Sequence, residues 1–386
     1  MKKLTLVLAT CMCAMVVADG VAAPIDFEGP GTTKPSNKKK EDDIRKALAE
    51  AASMRIENVT QIAAGGSHTV VLRKDGVALA WGENASGQLT GAVGKDSGGP
   101  VQGPAGLYDK VAAGGSFTVG ARKDGTLWVW GQQIGGSDAS GKRYEPKNVP
   151  VSGPIADIAA GGQHVLVLLA DGTLWAWGGN QFGQLGDGTT VPRSSPMQVG
   201  SGFAKIAAGA THSLAINRDG VLFAWGNNEL GQVGIAKLED VTTPVEIGRE
   251  FVAIAAGRNH SLGIKRNGTL MAWGDNQSGQ LGTAAASPQV LPAKVAEGSD
   301  WIAVAAGGNH SLGLRAKDGL FAWGANDEGQ LGIGTNANAA KPAKVEGAFV
   351  SIAAGGYHSV ARKENGSVWV WGAQPGGKSV NSPKAM

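Results

Sequence analysis

Six histidines are the residues of this chain best suited to bind a metal ion or to transfer protons near neutral pH. Each follows the glycine of an Ala-Ala-Gly triplet by three residues, and neighbouring histidines are separated by about 48 residues or about twice that. So regular a placement indicates one structural role repeated along the chain, and we therefore predict no metal site. The six are His68, His164, His212, His260, His310 and His358.

Other patterns that could support catalysis are incomplete. Residues 91–95 partly resemble a phosphate-binding loop, but Leu89 stands where the first glycine belongs and Asp96 where a serine or threonine belongs. The adjacent carboxylates Asp327 and Glu328 carry no feature that selects them as an acid–base pair. Neither a Gly-x-Ser-x-Gly elbow nor a His-Glu-x-x-His zinc motif occurs. We predict no catalytic residues, no cofactor and no enzymatic activity.

The N-terminus has the layout of a secretory signal peptide. Lys2 and Lys3 precede a mostly apolar stretch over residues 4–17, and small residues follow at 20–23. We predict cleavage after Ala22; an uncleaved anchor and lipidation at Cys11 are the alternatives. Cys11 and Cys13 are the only cysteines, so the mature chain would have no thiol or disulfide. We expect an exported protein, periplasmic or extracellular, whose mature chain has no membrane span.

Composition places the rest of the chain among folded proteins rich in tight turns. The 386 residues include 61 glycines and 42% hydrophobic residues, which argues against disorder. The formal net charge of +3 is too small to indicate nucleic-acid binding by itself. Residues 23–56 are interpreted as a linker, in which the spacing over residues 42–52 is typical of one short helix.

Residues 57–386 consist of seven repeats. The Ala-Ala-Gly triplet recurs at steps of 47 to 50 residues, and a Trp-Gly pair recurs at the same steps, sixteen residues after each triplet glycine. Repeats of this length are typical of solenoids, propellers or arrays. The tryptophans of the pairs are Trp81, Trp130, Trp177, Trp225, Trp273, Trp323 and Trp371.

Each repeat predicts about four strands and almost no helix. In the fourth repeat, short apolar runs end at Gly209, at Ile216 and at Trp225, with an Asp219-Gly220 hairpin signal between the last two. A fourth, proline-containing outer strand is expected near Val245. A large apolar residue stands two positions before each repeat tryptophan and a small apolar residue stands between them, so both sides of the third strand are predicted to be buried. This pattern predicts an all-β, seven-bladed β-propeller. Either residues 53–56 or the C-terminal residues 382–386 would complete the last blade, and we favour the latter.

The repeat motifs resemble the regulator-of-chromosome-condensation repeat. In the fourth unit they read Ile-Ala-Ala-Gly-x-x-His-Ser-Leu from residue 206, Ala-Trp-Gly-x-Asn from 224 and Gly-Gln-x-Gly from 231. The resemblance covers residues 57–386 and implies a seven-bladed propeller. Three units depart from it. The second has Phe117 in place of the histidine and lacks the Gly-Gln-Leu-Gly segment, the first ends Gly87-Gln88-Leu89-Thr90, and the seventh has Gln374-Pro375-Gly376-Gly377 in that region.

The strand directions place two groups of candidate binding residues on opposite faces. We predict a partner-binding site on the face that carries the loops after Ala-Ala-Gly and after Trp-Gly, with Phe182, Leu230, Arg258 and Tyr357 as its anchors. The alternative is a basic rim on the face of the Asp-Gly hairpins. That rim comprises Arg73, Lys74, Arg122, Lys123, Lys265, Arg266, Arg362 and Lys363.

The favoured function is an exported, non-enzymatic binding or scaffold protein with a protein partner. An anionic envelope polymer bound at the basic rim is an alternative. The resemblance also implies two more specific alternatives: nucleotide exchange on a host GTPase, and inhibition of a secreted enzyme such as a β-lactamase. A further alternative is an enzyme with its active site on one face of the propeller, but no set of residues in the sequence supports it.

Overall fold

The computed structural model describes residues 55–134, 145–283, 287–295, 298 and 300–386. The predicted signal peptide (1–22) lies outside these residues, as does nearly all of the predicted linker and its helix (23–56). Residues 54–386 form one compact unit. Its described part contains 28 strands in seven four-stranded antiparallel sheets and no α-helix.

Each sheet is one blade of a β-propeller and is formed by four consecutive strands. The first four blades are β1 Val59–Ala64, β2 His68–Arg73, β3 Ala78–Gly82, β4 Ser97–Gln102; β5 Tyr108–Ala113, β6 Phe117–Arg122, β7 Leu127–Gly131, β8 Lys147–Val149; β9 Ile155–Ala160, β10 His164–Leu169, β11 Leu174–Gly178, β12 Arg193–Gly200; and β13 Phe203–Ala208, β14 His212–Asn217, β15 Leu222–Gly226, β16 Val241–Gly248. The last three are β17 Phe251–Ala256, β18 His260–Lys265, β19 Leu270–Gly274, β20 Gln289–Lys294; β21 Trp301–Ala306, β22 His310–Arg315, β23 Gly319–Gly324, β24 Ala339–Lys344; and β25 Ser351–Ala354, β26 His358–Arg362, β27 Val368–Gln374, β28 Lys378–Ala385.

The predicted fold is therefore confirmed. The C-terminal strand β28 pairs with β27 and completes the seventh blade, as favoured from the sequence. Arg55 and Ile56, at the other end, precede β1 and belong to no strand. Every blade is consequently built from one continuous stretch of chain, and the ring closes through contacts between the seventh blade and the first.

Glycine is required where the seven first strands converge on the central axis. A Cβ on Gly65 would lie 2.4 Å from the carbonyl oxygen of Gly114 in the next blade. That close approach permits backbone hydrogen bonds from blade to blade, such as Gly66 N to Gly114 O at 3.0 Å. The bond from Gly356 N to Gly65 O, at 3.1 Å, joins the seventh blade to the first.

The core lies between the blades, and all seven repeat tryptophans are buried there. The third strand is buried on both sides, as predicted. On one side, the small residue before each tryptophan is fully buried in six blades, and Val129 is the partly buried exception. On the tryptophan's own side, Leu79 is fully buried, whereas Phe223 and its equivalents are partly buried and pack against the core.

The Asp-Gly turns are longer than the two-residue hairpins predicted. In the fourth blade, Gly220 N donates to Asn217 O and Asn217 N donates to Val221 O, which leaves three residues in the loop. Gly220 has a φ of +82°, but Asp219 does not share this conformation. At the equivalent turn of the third blade, the Asp171 carboxylate accepts a hydrogen bond from Thr173 N at 2.8 Å. Aspartate is thus used for its side-chain acceptor.

Candidate functional site: the blade seams and the loop face

Each histidine forms a hydrogen bond across a seam, the contact between two neighbouring blades. His212 Nε2 lies 2.8 Å from Oγ of Ser261, and His164 Nε2 lies 2.8 Å from Oγ of Ser213. Four further bonds of 2.9 to 3.0 Å join His68 to Thr118, His260 to Ser311, His310 to Ser359, and His358 to Thr69. The last of these crosses from the seventh blade to the first.

A loop from the preceding blade completes each typical seam. Ser261 Oγ donates a hydrogen bond to the main-chain carbonyl of Gln232 at 2.7 Å, and the indole Nε1 of Trp273 donates to the same oxygen at 2.9 Å. Gln232 belongs to the Gly-Gln-x-Gly segment of the fourth blade. Because the serine hydroxyl donates to this carbonyl, His212 Nε2 must carry the proton that it shares with Ser261. The same arrangement recurs at the carbonyls of Gln88, Gln184, Gln280 and Gln330.

Burial holds the histidines neutral. It lowers the pKa of His68, His212 and His310 to about 3, and that of His164, His260 and His358 to about 4. The described residues include no group of three or more His, Cys, Asp and Glu side chains placed to hold a metal ion. The chemistry of the histidines is that of structural hydrogen-bond donors.

Two seams depart from this arrangement, and both involve units in which the sequence departs from the repeat. Between the second and third blades, Phe117 replaces the histidine and Val165 replaces the serine, and both are fully buried in one apolar cluster. A hydrogen-bonded pair is thus exchanged for an apolar pair as a unit. Between the seventh and first blades, His358 and Thr69 keep their bond, but the Gln loop is missing because β27 turns directly into β28.

The loop face is the side of the ring that carries the loops after the first and third strands of each blade, such as residues 209–211 and 227–240. A hollow of about 560 Å³ opens on it across the second to fifth blades. Phe182, Thr211, Glu229 and Arg258 are among its lining residues. We call this the loop-face hollow.

Arg258 occupies a special position at this hollow. The equivalent residue is glycine in five blades and Ala210 in the fourth, because the chain there approaches the next blade closely. Arg258 also lines the mouth of the central channel, and its side chain is exposed. In the described part of the chain its guanidinium forms no ion pair or hydrogen bond. It is therefore free to bind an acceptor from outside.

The structure brings together two of the four predicted anchors. Phe182 and Arg258 line the same hollow. Tyr357 is exposed but lies at the seam between the seventh and first blades. Leu230 is half-buried, and its amide donates to the Gln232 side chain at 3.0 Å within its own loop. Whether these residues bind a partner stays a prediction.

Models of the regulator of chromosome condensation (RCC1) repeat match more than half of the chain. One matches residues 171–216, 219–264, 267–314 and 317–362, and a second matches 59–88, 108–133, 155–184, 203–232, 251–280 and 301–330. The chain belongs to the RCC1 repeat family. No curated protein sequence matches it at a significant level.

Solved structures show the same RCC1-type fold. Prp20p from Saccharomyces cerevisiae matches with a TM-score of 0.70 and 24% identity, over 78% of this chain and 82% of its own. Human WBSCR16 matches with a TM-score of 0.72 and 22% identity, over 79% of this chain and 86% of its own. Prp20p has been studied for its binding to Gsp1p and histones. At these identities the likeness establishes the fold alone.

On the opposite, hairpin face of the RCC1 propeller, several predicted rim charges contact groups of the protein itself. Arg73 forms an ion pair with Asp75. The guanidinium of Arg122 lies 3.9 Å from the ring centroid of Trp128, and Lys363 Nζ lies 3.8 Å from that of Trp369. Lys74, Lys123, Lys265, Arg266 and Arg362 complete the predicted rim. The ion pair partly neutralises Arg73, whereas the ring contacts hold Arg122 and Lys363 in place without removing their charge.

Within the described residues, no helix has the length and apolar character needed to cross a bilayer.

Proposed function

We propose that this RCC1-repeat propeller is an exported, non-catalytic protein that binds a partner protein through the loop face. Arg258 and Phe182 would anchor the partner at the loop-face hollow. The observation that carries the proposal is the exposed, unpaired Arg258 guanidinium, which projects where five other blades have glycine. Arginine and aromatic residues are the side chains most often responsible for binding energy at protein interfaces.

The rigid mount of these side chains favours recognition. Arg258 N donates to Gly307 O of the next blade at 3.1 Å, so the backbone beneath the guanidinium is fixed by the closed ring. Phe182 N donates to the Gln184 side chain at 3.0 Å, which holds its loop. A preorganised surface loses less conformational entropy on binding. Glu229, also exposed at the hollow, adds a charge of the opposite sign for selecting a partner.

Binding is proposed rather than catalysis because the side chains best suited to proton transfer have another role. All six histidines are buried in seams, and burial keeps their pKa values far below neutrality. The protein-binding role is also in keeping with Prp20p, a protein of similar fold that binds other proteins.

Export belongs to the proposal and is supported by the signal-like pattern of residues 1–22. The mass of the mature protein should correspond to an N-terminus at Ala23. An intact Met1, or a lipid attached at Cys11, would contradict soluble export.

The proposal is tested by capture from envelope and culture-supernatant fractions on immobilised wild-type protein, R258A, F182A and R266A. Arg266 is the matched control, because it is an exposed arginine of the same blade on the hairpin face. A protein retained by the wild type and R266A, but lost from R258A and F182A, supports the proposal. Retention of the same protein by all four would overturn it. The partner's identity then separates an enzyme inhibitor from an exchange factor, and recovery of a polyanion lost only from R266A would favour the basic rim.

A further inference from the structure

A second hollow, of about 350 Å³, lies at the seam between the seventh blade and the first. Its lining includes Trp81, Glu83 and Asp96 from the first blade and Tyr357 and Pro375 from the seventh. We call it the seam hollow. None of its lining residues belongs to the loop-face hollow, so it stands apart from the function proposed above.

The seam hollow exists because a loop is missing. In the sixth blade, residues 325–338 separate the third and fourth strands, and their Gly-Gln-Leu-Gly segment extends over the seventh blade. There the Gln330 carbonyl accepts hydrogen bonds from Trp371 Nε1 at 2.8 Å and from Ser359 Oγ at 2.7 Å. In the seventh blade, residues 375–377 alone connect β27 to β28. Among the described residues, nothing equivalent reaches the first blade.

The first blade nevertheless retains the donors that such a loop would satisfy. Trp81 is only 3% exposed, and its indole Nε1–H has no hydrogen-bond acceptor in the described part of the chain. Thr69 Oγ1 contacts His358 Nε2 at 2.9 Å but has no carbonyl at the position that Gln330 takes opposite Ser359. The Trp81 nitrogen opens onto the hollow, where an acceptor that enters can take its proton. The hollow thus offers a prepared place for one carbonyl oxygen.

We propose that the seam hollow binds a glycine-flanked peptide turn of another protein, which takes the place of the missing Gly-Gln-Leu-Gly loop. A main-chain carbonyl of the turn accepts hydrogen bonds from Trp81 Nε1 and Thr69 Oγ1. The five seams that contain a Gln loop show which kind of peptide would fit. In each of them, a main-chain carbonyl of a Gly-Gln segment accepts hydrogen bonds from the repeat tryptophan and from the Ser or Thr hydroxyl.

The charge of the hollow selects among such turns. Glu83 is half-buried, and its carboxylate has no side-chain or ion-pair partner among the described residues; exposed Asp96 lies beside it. Two carboxylates at the mouth favour a turn with free amide donors or a basic side chain, and they repel an acidic one. Tyr357, 51% exposed, supplies an aromatic surface at the same mouth.

The probe for the test is a synthetic, end-capped peptide with the neutral sequence of residues 276–283, Asn-Gln-Ser-Gly-Gln-Leu-Gly-Thr. It is titrated into full-length protein labelled with ¹⁵N at the tryptophan indoles. We expect a saturable shift of the Trp81 Nε1–H resonance at millimolar peptide or below, with Trp225 unmoved because Gln184 O already accepts its proton. A scrambled peptide should give no such shift.

Two variants decide whether the seam is the site. S67F places a bulky ring at the exposed mouth of the hollow, and N309F places the same ring at the matched position of the sixth blade, before His310. We expect S67F to abolish the shift and N309F to preserve it. The W81F variant removes the donor, and with it the monitored resonance, but keeps an aromatic ring; calorimetry should therefore show peptide binding weakened at least several-fold. Equal shifts in S67F and the wild type, or no saturable shift of Trp81, would overturn the proposal without affecting that for Arg258.

Discussion

His212 Nε2 in the fourth blade lies 2.8 Å from the hydroxyl of Ser261 in the fifth, and that hydroxyl donates in turn to the Gln232 carbonyl of the fourth blade's loop. One side-chain pair therefore connects two blades and a loop. Six of the seven seams contain a histidine paired with Ser or Thr, five of them with the loop carbonyl as well, and the remaining seam contains Phe117 and Val165.

The first prediction is that His212 and Ser261 behave as one unit. H212F leaves the serine without its histidine, and we expect it to lower the free energy of unfolding by about 1–3 kcal/mol. The double variant H212F/S261V reproduces the Phe117–Val165 seam and should lose less than the sum of the two single losses. Denaturant unfolding of all four proteins measures the coupling. Strictly additive losses would show that the pair is not coupled.

The second prediction concerns acid. Burial lowers the pKa of all six histidines below the ordinary 6.5, so between about pH 6.5 and pH 4 the unfolded chain binds more protons than the folded one. Stability is then complete above pH 6.5 and falls as the pH is lowered through this window, by about 1 kcal/mol per pH unit for each histidine.

Urea unfolding at a series of pH values measures this slope. H260F/S311V removes one histidine with its partner, so its slope should be shallower by about one sixth. The aspartates whose pKa is lowered, such as Asp171 and Asp187, begin to affect stability only below this window, because the ordinary pKa of Asp is 3.8. Stability independent of pH between 6.5 and 4 would contradict the buried, neutral histidines.

The third prediction concerns the repeat tryptophans. Trp225 is fully buried, and its indole donates to Gln184 O at 2.9 Å. W225A should therefore lower the free energy of unfolding by about 3–5 kcal/mol. Phe223 lies on the same strand but is only partly buried, so F223A is the matched control and should cost less. A loss below about 1 kcal/mol for W225A would show that the indole is not a core residue.

The sequence was sufficient to predict the repeat architecture, because the Ala-Ala-Gly and Trp-Gly markers keep one interval through seven units. The sequence also indicates which residues form hydrogen bonds with the histidines. Six of the seven residues that follow the repeat histidine position are Ser or Thr, and the exception, Val165, comes one blade after Phe117. Correlated changes one repeat apart indicate contact across a seam, which a search within single units does not detect.

The two hollows needed the structure. The missing Gly-Gln-Leu-Gly segment of the seventh unit was visible in the sequence, but only the position of Gln330 over Trp371 shows what its absence uncovers at Trp81. Likewise, Phe182 and Arg258 come from different blades, and their shared hollow depends on the curvature of the ring. From the sequence, Leu230 and Tyr357 were equally good candidates for anchors, but neither lines this hollow.

The most direct test of the account compares R258A with R266A in calorimetric binding to the captured partner at low and high salt. Both variants remove one exposed arginine from the fifth blade, on opposite faces. We expect R258A to weaken affinity about tenfold or more, with unchanged thermal stability, and R266A to bind like the wild type. Wild-type affinity for R258A, together with a steeply salt-dependent loss for R266A, would contradict this expectation and assign the site to the hairpin face.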